Sequence, residues 1–151
     1  MEHNHHMMHH DESGHLPKGI KEATEAKYPV GTRVKLLTDH MSNMLDAEAV
    51  VVGVYDTTVY SVTYNDTESG ELVEDHKWVV DGEVSYEGSV GIGDEITIQA
   101  THMAGMNGAK GQIVRVTHEP VYMVDYYSSN HKRWVKNHQW VVESEVTLWE
   151  E

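Results

Sequence analysis

Residues 31–85 lie over residues 93–147 without a gap, and 18 of the 55 aligned positions are identical. Unrelated segments would share roughly three, taking the twenty residue types as about equally frequent, so the chain carries a tandem duplication with a shift of 62 residues. This constrains the fold more than any other feature, because the architecture must be written twice. The shared positions include Gly31/Gly93, His40/His102, Met41/Met103, Met44/Met106, Tyr64/Tyr126, His76/His138, Trp78/Trp140 and Glu83/Glu145.

Within each copy the apolar residues alternate as they do in strands. "TRVKLL" and "DEITIQ" follow a Gly turn, then come "AVVVGVY" and "GQIVRVT", then "TVYSVTY" and "PVYMVDYY". Each copy closes on a Val- and Trp-rich segment, "LVEDHKWVVDGEV" or "WVKNHQWVVESEV". No long stretch has a helical period. The expected fold is all-β: two tandem SH3-like small β-barrels related by internal duplication, behind a disordered His/Met-rich N-terminal tail. The boundaries expected are residues 1–28 for the tail and a short linker helix, 29–86 for the first barrel and 87–151 for the second. The helix rests on Pro17 followed by Ile20, Ala23, Ala26 and Lys27.

Charge and composition narrow the function. Twenty-five acidic against eleven basic residues give a formal charge of -14, which repels nucleic acid and anionic lipid and attracts cations. No apolar run reaches the ~18 residues of a membrane span, so a soluble chain is expected. No signal peptide is visible in the sequence as written. Cysteine is absent, which removes disulfides and thiolate metal sites, while twelve histidines and eight methionines remain. These are the two other side chains that bind soft or borderline metals.

The repeated His-Met-x-x-Met is the first candidate site: His40, Met41 and Met44, then His102, Met103 and Met106. A thioether is uncharged and soft, so it suits Cu(I) and is a poor ligand for Mg(II), Ca(II) or Zn(II). Two methionines three residues apart can turn both sulfurs to one centre. The plain alternative is that the methionines fill core gaps and the histidine caps a turn. Against it, both copies keep all three residues while their flanks diverge, and the surrounding span reads as an exposed loop.

His76 and His138, each two residues before a tryptophan, are the next candidates. Alternation would place His and Trp on one face of a strand, with the tryptophan as core or as a shield over a cation. In the tail, His3, His5, His6, Met7, Met8, His9 and His10 could bind Cu(I), or Cu(II) or Zn(II) through imidazole, loosely and in several arrangements. The alternative there is a purification tag, against which the interruptions at Asn4, Met7 and Met8 speak. No G-x-S-x-G, H-E-x-x-H, phosphate loop or dinucleotide fingerprint is present, so no enzyme is expected.

"HMAGMNGAKGQIV…VYMVDY…VKNHQWVVESE" and its partner "HMSNMLDAEAVVV…VYSVTY…VEDHKWVVDGE" resemble the tandem domains of the YdhK family, which includes the CopL-like copper-resistance lipoproteins. The resemblance covers residues 29–147. It implies an extracellular, membrane-anchored protein that sequesters or buffers Cu(I) and contributes to copper resistance. Its lipid anchor is not in this chain. The partners expected are metal ions and a copper exporter, without nucleic acid, and the chain is expected to be a monomer. The competing expectation is a tandem barrel module that recognises cell-wall polymer or protein, with its Met and His structural.

Overall fold

The computed structural model describes residues 12–41 and 43–150. The tail residues His3, His5, His6, Met7, Met8, His9 and His10 lie outside them. Among the described residues the strands are β1 (Lys21–Glu22), β2 (Arg33–Leu36), β3 (Glu48–Asp56), β4 (Val59–Asn65), β5 (Leu72–Val80) and β6 (Val84–Ser85). The second repeat supplies β7 (Glu95–Ile98), β8 (Lys110–Thr117), β9 (Val121–Ser128), β10 (Arg133–Val142) and β11 (Val146–Leu148). Single 3-10 turns, Asp81–Glu83 and Glu143–Glu145, join the last two strands of each repeat. The fold is all-β and built from two like halves, as the duplication requires.

The compact halves are not the repeats. One, here the central unit, takes Thr58–Thr117 with Leu16–Gly19; the other, the flanking unit, takes Ile20–Thr57 and the chain from His118 onward, with Glu12–His15. The central sheet runs β5-β4-β8-β7-β6 and the flanking sheet β10-β9-β3-β2-β11, with β1 added beside β3. Shifting by one repeat converts either order into the other, so strands have been exchanged within the chain. The expectation that 29–86 and 87–151 would each close into their own barrel is corrected accordingly.

The cause lies in two short links. A two-residue hairpin needs residues at positive φ, usually Asn-Gly or Asp-Gly, to fold a strand back on its neighbour. β3 and β4 are joined by Thr57-Thr58, and β8 and β9 by His118-Glu119-Pro120. None of these residues has a positive φ, and β-branched threonines and a proline resist adopting one. The chain therefore runs on out of each unit, and β3 pairs with β9, for example Val51 with Val124, while β4 pairs with β8, Val62 with Ile113.

Each unit has its own core. Val62, Val79, Ile96, Ile98 and Ile113 centre the central one, and Val34, Leu36, Val51, Val124 and Val141 the flanking one. Trp140 is fully buried and Trp78 nearly so. The segment from Glu12 to Tyr28 departs from expectation. It holds no helix: Lys21–Glu22 pair antiparallel with Tyr55 and Asp56, and Ala23 and Ala26 pack on the flanking core. Glu12, expected in a disordered tail, accepts hydrogen bonds from Arg133 and from the Lys136 backbone N–H, 2.6 and 2.8 Å. No helix among the described residues is long and apolar enough to cross a membrane.

Candidate metal centre

The His-Met-x-x-Met segments lead into tight turns that share backbone hydrogen bonds in the two copies. Met41 O accepts the Met44 N–H and Met44 O the Ala47 N–H; in the second copy Met106 O accepts the Ala109 N–H. The turn needs two left-handed residues. The first copy uses Asn43 and Asp46, at φ 68° and 67°, and the second Gly105 and Gly108, at 83° and 86°. These are the residue types that tolerate positive φ, so the divergent flanks obey one rule.

The turn buries its methionines, which corrects their expected placement in exposed loops. Met44 and Met106 are 0% exposed and belong to the two cores, and Met41 and Met103 pack against the same cores half-buried. Met44 Sδ lies 3.3 Å from the Met41 backbone N–H. The core-filling role is therefore real, whatever else the sulfurs do.

Strand exchange decides which histidines meet. His40 from the first repeat faces His138 from the second, with ring centroids 6.4 Å apart and 39° between planes. His102 from the second faces His76 from the first, at 6.5 Å and 41°. The sequence grouped Met103 and Met106 with His102 or His138, and Met41 and Met44 with His40 or His76, each within one repeat; the fold instead brings His102 to His76 and His40 to His138. Each of these two strand histidines is aimed by a bulge. Asp75 and Asn137 take φ 51° and 52°, and their N–H groups bond Thr63 Oγ1 and Asp125 Oδ1 instead of continuing the ladder. A bulged residue re-aims the side chain that follows it.

The strand histidines have tyrosines among their neighbours. Tyr64 meets His76 edge-on at 6.0 Å and Tyr126 meets His138 at 5.7 Å. Burial, with the Asp66 charge adding, pushes the Tyr64 phenol up to about 12. Burial does the same for Tyr126, also to about 12, with Glu12 adding and Arg133 opposing. Both therefore stay neutral walls. Trp78 carries the Lys77 ammonium 5.7 Å from its ring centroid, and Trp140 packs edge-on to Tyr55.

Two carboxylates that sequence reasoning passed over complete the picture. Glu83 Oε2 is 2.7 Å from His102 Nε2, and Glu145 Oε2 is 2.8 Å from His40 Nε2. Their other oxygens accept the Val80 and Val142 N–H groups at 3.0 Å. Both glutamates were visible as identical positions of the two copies, but a glutamate ending a Val-rich strand has no ligand spacing to single it out. Tyr64 and Tyr126 were visible in the same way.

The donor set suits a soft ion. Among the described residues no group of three or more His, Cys, Asp or Glu gathers as a metal-holding set, and the further soft donors each unit carries are the thioether sulfurs of its turn. In both units the two imidazoles stand 6.4–6.5 Å apart between centroids, beside the turn that carries the methionines.

The family model described as a protein of unknown function, DUF1541, matches residues 30–81 and again 92–143. The uncharacterized protein YdhK of Bacillus subtilis strain 168 is 43% identical over 145 residues, covering 95% of this chain and 71% of that protein. A crystal structure of the same B. subtilis protein, a DUF1541 family protein, is similar with a TM-score of 0.86 at 40% identity, covering 95% of this chain and 97% of that one. The solution structure of the YdhK C-terminal domain is similar at a TM-score of 0.74 and 43% identity, covering 80% of this chain and 92% of that one. The chain belongs to the DUF1541 family, as a two-copy member related to YdhK.

Proposed function

We propose that the protein binds copper without catalysing a reaction, sequestering or buffering Cu(I) at two equivalent centres. One would use His40, His138, Met41 and Met44, the other His102, His76, Met103 and Met106. The observation that carries this reading is the reassembly. Each unit draws its two histidines from different repeats, and both arrive at the same ring separation and the same carboxylate support. A turn that only filled the core would place no demand on a histidine from the other copy. Thioether with imidazole favours Cu(I), and the charge of -14 draws cations to the surface. On this reading the tail, His3 to His10 with Met7 and Met8, adds loose capacity. The protein would act at the cell surface behind a lipid anchor and contribute to copper resistance.

The competing reading is a barrel pair that recognises cell-wall polymer or protein. Full burial of Met44 and Met106 favours it. Titration of Cu(I) against a competing chelator separates the two, in a chain lacking residues 1–11. Met41→Leu with Met44→Leu, and Met103→Leu with Met106→Leu, keep volume and apolarity and should cost under about 1.5 kcal/mol per swap. Each pair should remain folded and remove one Cu(I). Undiminished Cu(I) binding with all four replaced would leave the methionines as core residues and give the case to the competing reading.

A further inference from the structure

We propose that Glu83 and Glu145 are positioning residues of the two centres. Each holds its histidine in the Nε2–H tautomer, which makes Nδ1 of His102 and of His40 the nitrogen that meets the metal. This rests on the copper reading above and adds to it an orienting pair and the ligating atom.

The geometry is specific in both units. Glu83 is 5% exposed, and its two oxygens have separate duties: Oε1 takes the Val80 N–H that closes the 3-10 turn, and Oε2 takes His102 Nε2. Glu145 divides its oxygens in the same way between Val142 and His40. Closing the turn needs one oxygen, and the second is spent on a histidine that comes from the other repeat. An ionised carboxylate can only accept, so Nε2 carries a proton, and in the neutral ring Nδ1 is then the lone-pair nitrogen. Nδ1 of both histidines is buried from water. A metal-bound histidine commonly donates its remaining N–H to a carboxylate, which fixes the ring and raises its basicity.

The same short segment supplies both halves of each pair. β5 carries His76 and, seven residues later, Glu83 that grips His102; β10 carries His138 and then Glu145 that grips His40. One strand and its closing turn thus aim two imidazoles drawn from two repeats. Positions 81 and 82 differ from 143 and 144 while the glutamate is the same in both copies.

The test reads the tautomer first, by imidazole nitrogen NMR on the metal-free whole chain. The expected result is a single Nε2–H tautomer at His40 and His102. Glu83→Gln and Glu145→Gln keep the shape but replace an obligate acceptor with a group that can also donate, so the corresponding histidine should become a tautomer mixture. Cu(I) affinity should then fall about 10–100-fold at that histidine's centre only. An Nδ1–H tautomer in the wild type overturns the proposal whether or not either variant folds. Cu(I) affinity unchanged in both folded variants overturns the positioning role and leaves the copper reading standing. A wild-type chain with the Nε2–H tautomer that takes up no Cu(I) overturns the copper reading, and with it any metal role for the carboxylates.

Discussion

The central and flanking units reach one arrangement by opposite donations. In the flanking unit the Met turn comes from the first repeat and the strand histidine and glutamate from the second; in the central unit the sources are reversed. The ring pairs nevertheless agree to 0.1 Å in separation, 6.4 against 6.5 Å. What differs is how the turn is secured. In the central unit Thr67 donates its N–H to Gly105 O at 3.0 Å, where a glycine lets the Asp66 turn approach closely. In the flanking unit the corresponding contact is a side-chain one, Ser129 Oγ to Asn43 Oδ1 at 3.5 Å. The pairing of histidines is thus common to both units, while the covering of the turn is local to each.

The largest expected effect tests whether the two turns carry equal weight. Met44→Ala and Met106→Ala each empty a fully buried site and should each cost about 2–5 kcal/mol in denaturant unfolding. A several-fold difference between them would break the equivalence of the two cores. Next comes the crossed assignment. His76→Ala should weaken the centre of Met103 and Met106 by more than the about 10–100-fold typical of losing an outer partner. Combined with Met103→Leu and Met106→Leu it should add nothing further, because all three belong to one centre. Combined with Met41→Leu and Met44→Leu it should remove both. The reverse pattern would mean that each repeat builds its own site.

The sequence made the repeat, the strand class and the two histidine–methionine sets readable because they depend on period, alternation and residue chemistry. It did not make the crossing readable. Pairing β4 with β3 inside one repeat and β4 with β8 across repeats would satisfy the same alternation, and only the missing turn formers at Thr57-Thr58 and His118-Glu119-Pro120 speak for the second arrangement. The helix expected after Pro17 failed for a related reason. Gly19 takes a positive φ of 80°, and Lys21–Glu22 gain strand pairing along β3, which outweighs a weak helical pattern. Glu83 and Glu145 were hidden because a carboxylate acting through another side chain leaves no spacing rule in the chain.

A smaller effect sharpens the contrast between the turns. Gly105→Ala places a Cβ at φ 83° and against the Asp66 carboxylate, which the Glu68 and Ser69 N–H groups hold in place. It should cost about 1–3 kcal/mol. Asn43→Gly, at the corresponding position, relieves a left-handed side chain while removing its long, exposed 3.5 Å contact with Ser129, and should stay within about 0.5 kcal/mol, measured by thermal melting under the same conditions. An equal loss at both sites would show that the two turns are covered alike after all.

The smallest effect concerns the bulges beside His76 and His138. Asp75 lies within hydrogen-bonding distance of Arg115, with Nη2 to Oδ2 at 3.0 Å, whereas position 137 is already asparagine and the residue matching Arg115 is Gly53. Asp75→Asn therefore converts the central bulge to the flanking kind. Asparagine accepts the positive φ that both bulges require, and the N–H bond to Thr63 is unaffected, so the substitution should remove only the exposed ion pair. The Arg115 hydrogen bonds hold the Asp75 carboxyl below the usual carboxylate range, with burial partly opposing them. A depressed carboxyl stabilises the fold above its unfolded value of about 3.9 and loses that contribution as pH falls through the lowered folded value. At neutral pH and low salt Asp75→Asn should thus melt slightly below wild type, by less than Gly105→Ala does. The gap should shrink with added salt and close on acidification below about pH 4. A gap that persists unchanged in acid would assign it to the bulge backbone, and the two bulges would then differ in more than charge.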